Sequence, residues 1–92
     1  MTLFEEVQAL LLHEWDPIGI VALEGPDDEY DYYVQEILDS SMTRPGEIAQ
    51  YLAESRSIRI GLGNLLIQQK EWEVAEKLAA VLEDVRSRNR KT

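Results

Sequence analysis

The residues that could do chemistry in this chain are concentrated in one acidic stretch, EGPDDEYDYY, at positions 24–33. Carboxylates are the ligands that hard cations prefer, so a metal-dependent hydrolase is the first enzyme to consider. A calcium loop, however, needs alternating ligands around a central glycine, and the acids here lack that glycine. Helix capping and a solvated acidic face explain them more simply. We therefore expect no metal site and no cofactor, and keep the hydrolase as an alternative.

Nucleophilic catalysis has few candidates in this sequence. The chain has no cysteine, and His13 is its single histidine, so a serine nucleophile would depend on that residue as its base. No G-x-S-x-G motif is present. The sequence therefore predicts a protein that is not an enzyme, with His13 in the last turn of the first helix, where positive charge is favourable.

The charge of the chain is divided unevenly along its length. Residues 1–43 contain eleven Asp and Glu and no Lys or Arg, whereas residues 44–92 contain seven acids and nine bases, which gives −9 in total. A field of this sign repels nucleic-acid phosphates and attracts basic proteins. We predict a basic protein partner and no nucleic acid. Solubility of a small protein is the other explanation for the acidity.

One tyrosine in the acidic stretch is placed to meet such a partner. On a helix, Tyr30 and Tyr33 share the side that would face the core, whereas Tyr32 points elsewhere. A tyrosine among acids offers apolar area, a hydroxyl and charge complementarity to a cationic protein. The alternative is that Tyr32 only covers the edge of the core. The predicted partner-binding surface consists of Glu24, Asp27, Asp28, Glu29, Asp31 and Tyr32.

Apolar residues recur at helical spacing in four segments, and the one candidate for strand alternation, at Ile58, Ile60 and Leu62, is too short to predict a strand. The predicted helices run from a Thr2 capping box to about Trp15, from an Asp27 or Asp28 cap to Ser40, from a Thr43 cap to about Arg56, and from an Asn64 cap through Leu65 to about Arg86. Gly61 and Gly63 separate the last two helices. The prediction is an all-α fold: one compact four-helix domain over residues 1–92, with antiparallel neighbours, a long C-terminal helix and a frayed basic tail over 87–92.

The last helix has an unusually wide apolar face. Its main stripe is predicted to comprise Trp72, Ala75, Leu78, Ala79, Leu82 and Val85. A face this wide indicates that the helix packs against more than one neighbour, or against another molecule. A structural homodimer is therefore a further alternative, formed through Val74, Leu78, Val81 and Val85.

The stretch HEWDPIGI, residues 13–20, joins the first helix to the acidic loop. Pro17 disfavours helical geometry at Asp16, and Gly19 frees the backbone to turn. Trp15 and Ile18 can then pack the corner onto the core, and Asp16 can accept hydrogen bonds within the turn. We interpret Trp15, Asp16, Pro17 and Gly19 as a structural motif that joins two helices.

Composition also bears on where the protein works. The chain has no cysteine, no basic n-region before its first apolar residues and no apolar run long enough for a membrane span. We expect a cytoplasmic protein that does not contact the membrane.

Two resemblances add to these predictions. The order W-D-P-I-G, then D-E-Y-D-Y-Y, then I-L-D resembles a small bacterial protein family of unknown function, over residues 7 to about 80. That resemblance implies a compact helical fold and carries no activity, although accessory or toxin-immunity roles fit proteins of this size and acidity. Colicin immunity proteins are also similar in being small, acidic and helical with an aspartate-rich, tyrosine-containing surface. Asp31, Tyr32 and Tyr33 resemble that surface, but they fall in the second predicted helix rather than in a short third one.

Overall fold

The computed structural model describes residues 2–19, 23–25, 28–40 and 42–89, the last four of these by their backbone alone. Within these ranges it contains four α-helices and no strand: α1 (Leu3–Leu10), α2 (Asp31–Asp39), α3 (Pro45–Glu54) and α4 (Gln69–Asn89). The predicted all-α, four-helix fold with a long C-terminal helix is confirmed. Its Cα radius of gyration, 13.1 Å, is close to that of a single domain of this length.

The predicted capping box starts α1. Thr2 Oγ1 accepts a hydrogen bond from the Glu5 backbone nitrogen at 3.2 Å, and Glu5 Oε1 accepts one from the Thr2 backbone nitrogen at 3.0 Å. These bonds satisfy two of the backbone N–H groups that a helix leaves unpaired at its start. The bond to the Thr2 backbone is also the main reason why the pKa of Glu5 lies below its ordinary value.

Helices α1 and α3 each continue into one π-helical turn, over Leu11–Trp15 and Ser55–Arg59. The turns are closed by hydrogen bonds from the Asp16 nitrogen to the Leu11 oxygen and from the Ile60 nitrogen to the Ser55 oxygen, both 2.9 Å long. A π turn holds one residue more than an α turn, so it changes the direction in which the following side chains project. The sequence predicted the helical extent of these segments but not their widened last turns.

Two of the predicted helix caps are wrong. Helix α2 begins at Asp31 behind Tyr30, which makes no side-chain capping bond, while Asp28 belongs to the preceding turn and accepts the Asp31 N–H with its carbonyl. Asp27 lies outside the described residues. Helix α3 is preceded by Arg44 rather than capped by Thr43, because Pro45 takes the first helical position and fixes the geometry there.

The start of α4 is also later than predicted. The Asn64 side chain accepts the Leu66 N–H at 2.9 Å, which forms a local turn instead of a helix cap. Gly61 and Gly63 have φ values of +83° and +78°, as their predicted role as helix breakers requires. Residues 60–68 thus form a non-helical connection between α3 and α4, which we call the leucine loop. At its other end α4 reaches Asn89, inside the segment predicted to be frayed.

The core lies between α4 and the other three helices. It comprises Val7, Leu11, Leu12, Trp15, Tyr30, Val34, Ile37, Ile48, Ala49, Leu52, Val74, Ala75, Leu78, Ala79 and Leu82. The predicted α4 stripe is wrong at Trp72, which is 39% exposed, while the adjacent Glu71 is fully buried. Helices α3 and α4 form the most extensive contact, as expected for antiparallel neighbours joined by a loop. Among the described residues, no helix has the length and apolarity to cross a membrane.

Candidate protein-binding surface

The acids of the predicted partner surface lie at the approach to α2 and in its first turn. Glu24, Asp28 and Glu29 are exposed, and Asp31 is half-buried, with its carboxylate accepting a 2.7 Å hydrogen bond from the Gln8 side chain. That bond ties the start of α2 to α1. Asp27 lies outside the described residues. The described acids are therefore close in sequence, three of them exposed, and Asp31 also has a structural contact.

Tyr32 projects outward from α2 and is 63% exposed. Its ring has a cationic neighbour within the chain: the guanidinium carbon of Arg59 lies 5.6 Å from the Tyr32 ring centroid and 5.7 Å from that of Tyr51. At this distance a guanidinium is attracted to the electron-rich face of a ring. Two tyrosines thus flank one arginine at the surface.

A carboxylate completes this arrangement. Glu36, one turn after Tyr32 on α2, forms a salt bridge with Arg59 and accepts hydrogen bonds from the Tyr51 hydroxyl and, at 3.3 Å, from the Tyr32 hydroxyl. The bond from Arg59, and then that from Tyr51, holds the pKa of Glu36 below its ordinary value. Burial and the neighbouring Glu36 carboxylate raise the pKa of Tyr51. Near neutral pH, Glu36 therefore stays ionised and the Tyr51 hydroxyl stays protonated.

Sequence reasoning missed Arg59, Glu36 and Tyr51 as members of this surface. Arg59 is separated from Tyr32 by 27 positions and projects from the second π turn, whose geometry has no sequence signature. Glu36 carried the one usable signal, because a glutamate four residues after a tyrosine lies on the same side of a helix.

The corner after α1 packs onto the core through Trp15 but not, as predicted, through Ile18, which is 36% exposed. Trp15 is fully buried, and its ring centroid lies 5.5 Å from that of Tyr30 and 5.8 Å from that of Tyr33. Asp16 adopts the left-handed conformation, with φ +30°, and Gly19 has φ +79°. The Gly19 N–H returns to the Asp16 carbonyl at 3.2 Å and closes the turn around Pro17.

Tyr30 fixes this corner from the other side. Its hydroxyl donates a 2.7 Å hydrogen bond to Asp16 Oδ1 and accepts one of 3.2 Å from the Ile18 backbone nitrogen. Burial, and then the bond to Asp16, raises the pKa of Tyr30. Residues 15–19 and the tyrosines of the acidic stretch are therefore joined in one unit.

A buried ion pair connects the two π turns with α4. Arg56 is 3% exposed and Glu71 is fully buried. Arg56 Nε lies 2.7 Å from Glu71 Oε2, and Arg56 Nη2 lies 3.2 Å from Oε1, so the pair is bidentate. The Trp15 indole nitrogen donates to the same carboxylate at 3.1 Å.

The remaining bonds of this pair go to the backbone. The Gln68 N–H donates to Glu71 Oε1 at 3.0 Å, while Arg56 donates to the carbonyls of Leu62 at 2.6 Å and Leu66 at 2.8 Å. Burial by itself raises the pKa of Glu71, but the hydrogen bonds from Arg56, Gln68 and Trp15 outweigh it, and the net shift is downward. Glu71 stays ionised and its partners hold the leucine loop. An acid at a stripe position, four residues before Ala75, was the sequence signal for this pair.

The apolar face of α4 that was predicted to form a homodimer packs in part against the rest of the chain. Val74 and Leu78 are buried in the core, whereas Val81 and Val85 are half-buried. Only its second half, Val81 and Val85, therefore keeps area that a second chain could reach. Among the described residues, no three acidic or histidine side chains are grouped as metal ligands.

Comparison with known proteins adds no relatives: no family model, no curated protein and no solved structure matches the chain. The resemblance of its W-D-P-I-G and D-E-Y-D motifs to a bacterial family therefore remains a hypothesis.

Proposed function

We propose that this protein is a non-enzymatic binding module, of immunity, inhibitor or accessory type, that meets a basic protein partner through the acidic surface around Tyr32. The surface comprises Glu24, Asp27, Asp28, Glu29, Asp31 and Tyr32. The proposal includes a cytoplasmic location, which the absence of cysteine favours.

The observation that carries this proposal is the position of Arg59 against Tyr32 and Glu36. The Tyr32 and Tyr51 rings and the Glu36 carboxylate already hold one guanidinium at the surface, and the Tyr32 hydroxyl donates to that carboxylate. Tyr32 nevertheless remains largely exposed, so its ring offers further area to a partner. The same chemistry suits the arginine and lysine side chains of a basic protein.

Long-range electrostatics supports the same partner class. The N-terminal 43 residues carry eleven acids without a base, so their field extends beyond any single pair. Such a field increases the encounter rate with a positively charged protein and is screened by salt over about 10 Å at 0.1 M. Binding should therefore be tightest at low ionic strength.

The test is capture of partners from host extract on the immobilised chain, with elution by increasing salt and identification by mass spectrometry. We expect a basic protein that elutes as salt rises. A double variant, Asp28→Asn with Glu29→Gln, should retain less of it. The matched control, Glu76→Gln with Glu83→Gln, removes the same charge from exposed positions on α4 and should retain it normally. No partner at any salt concentration, or equal loss in both variants, would contradict the proposal.

A second variant separates specific contact from general attraction. Tyr32→Ala leaves the net charge unchanged but removes the aromatic contact. Its expected cost in binding is about 1–2 kcal/mol, as for a tyrosine that anchors an interface. Unchanged affinity would mean that the acids attract the partner but Tyr32 does not touch it.

A further inference from the structure

The largest concentration of exposed apolar side chains lies on and beside the leucine loop. Leu65 and Leu66 are exposed, Leu66 at 74%. Ile58, Leu62 and Trp72, which lie nearby in the sequence, are exposed as well. Monomeric proteins seldom expose several large apolar residues together, and such patches mark interaction sites. The predicted acidic surface does not include any of these residues.

The hydrogen bonds of Arg56 place two of these leucines side by side. One terminal guanidinium nitrogen bonds to the Leu62 carbonyl and the other to the Leu66 carbonyl. Because both nitrogens belong to one small planar group, the two peptide units are neighbours. The Leu62 N–H also returns to the Arg56 carbonyl at 2.8 Å. The loop therefore turns its backbone toward the buried arginine while its leucine side chains face solvent.

This arrangement is unfavourable for stability alone. Removing two charges from water costs several kcal/mol per ion, and a buried ion pair recovers that only with full hydrogen bonding. Leucines gain free energy by entering a core, not by lying at the surface. Here a buried ion pair holds the loop in a conformation that leaves its leucines outside, which is expected if those side chains are covered by another molecule.

Local charge favours a second copy of this chain over a charged partner. The sequence has no acid between Glu54 and Glu71, and its bases there are Arg56, Arg59 and Lys70. Both arginines are paired, with Glu71 and Glu36. The loop is thus nearly neutral in a chain of net charge −9. It offers little to a strongly charged protein, and two acidic copies that meet through this loop bring few like charges together.

We propose that the leucine loops of two copies pack against each other, through Leu62, Leu65 and Leu66 with Ile58 and Trp72 beside them, and form a homodimer. The interface is small and apolar, so the dimer is weak and concentration-dependent. This inference does not rest on the proposed partner at the acidic surface.

The test is the solution mass, measured by sedimentation equilibrium from about 5 to about 500 µM, a range that covers weak associations. The wild-type mass should rise from 10.6 kDa toward twice that value. Leu66→Ser should raise the dissociation constant at least tenfold, since each substitution removes two leucines from a symmetric interface. Leu65→Ser is the second variant, and far-UV circular dichroism checks that both are folded.

Leu23→Ser is the matched control, because Leu23 is 70% exposed but lies outside the loop. It should dimerise like the wild type. A wild-type chain that stays monomeric over the whole range would overturn the proposal. So would a dimer that both loop variants leave intact, or one that all three substitutions weaken equally.

The effect of salt on dimerisation provides an independent test. Two chains of charge −9 repel each other, so added salt should strengthen the dimer, whereas it weakens attraction between the acidic surface and a basic protein. A dimer that dissociates on adding salt would be held by charge pairs and not by the leucine loop. The proposed partner binding and the proposed dimer can therefore be refuted independently of each other.

Discussion

Replacement of Glu71 by glutamine tests the central claim about this fold, that a buried ion pair fixes the leucine loop. The substitution keeps the size of the side chain but removes its charge and turns one acceptor atom into a donor. The new amide group would face the donors of Arg56, which now contact both carboxylate oxygens. Arg56 would then be a buried charge without a counterion.

The expected loss is large for a domain of this size. Breaking a buried ion pair by removing one partner costs about 3–5 kcal/mol. At about 0.05–0.15 kcal/mol per residue, the whole domain has a free energy of unfolding of about 5–14 kcal/mol. Glu71→Gln should therefore remove at least about a fifth of the total stability. That loss is well beyond the loss of one ordinary hydrogen bond, about 0.5–1.5 kcal/mol.

Urea unfolding followed by far-UV circular dichroism measures this loss as a lower midpoint at an unchanged slope. Glu73→Gln is the control, because it makes the same chemical change two residues away at an exposed position. It should change the free energy of unfolding by less than about 0.5 kcal/mol. A loss below about 1 kcal/mol for Glu71→Gln would show that the carboxylate is hydrated or unpaired in solution, and would refute the reasoning.

The pH dependence of stability gives the same test a second readout. Because the pKa of Glu71 is lower in the folded chain than in the unfolded one, its contribution is present above the unfolded value, about 4.5, and is lost as the pH falls through the folded value. The wild-type chain should lose stability below about pH 4.5. Glu71→Gln should lose less over this range, and the slope that remains should come from other groups with lowered pKa values, such as Glu36.

Five further substitutions test three separate parts of the structure by the same unfolding assay. Tyr30→Phe should cost about 1.5–3 kcal/mol, because it removes a partly buried hydrogen bond to a carboxylate. Tyr32→Phe at the surface should cost less than about 0.5 kcal/mol. Equal losses would mean that the Tyr30 hydroxyl does not hold Asp16. Gly61→Ala should cost about 1–2 kcal/mol for its positive φ alone, and Gly63→Ala about 1–3 kcal/mol more, because its new Cβ would lie 2.8 Å from the buried guanidinium. Trp15→Ala should cost about 3–5 kcal/mol, and a negligible loss would place the indole at the surface.

The helices were predictable because each carries a strong apolar period. Val34 and Ile37 lie in the core as their spacing with Tyr30 predicts, and the Thr2–Glu5 box forms as its two residues predict. These features depend on neighbours within a few positions, which a sequence displays directly. The outward position of Tyr32 follows from the same period.

The errors have a different origin, since they depend on contacts between distant segments. Asn64 is a suitable cap in isolation, but Arg56 binds the carbonyls of the leucine loop, and the helix cannot begin until Gln69. Trp72 fits the apolar stripe by type, yet the buried position goes to Glu71, because Arg56 and the Trp15 indole supply its hydrogen bonds. A buried charge is recognisable only when its partners are known.

In the W-D-P-I-G and D-E-Y-D-Y-Y motifs, some residues stabilise the fold and others lie at the surface. Trp15 packs on Tyr30 and Tyr33, and the Tyr30 hydroxyl holds Asp16, so most of the pattern is explained by one packed corner. A pattern of this kind identifies a fold more directly than an activity. Tyr32 lies at the edge of this corner: its ring meets that of Tyr33 edge-on, with centroids 5.6 Å apart, while its contacts with Arg59 and Glu36 lie at the surface. If the motif carries a function as well as a fold, Tyr32 and the acids before it are where variants should separate binding from stability.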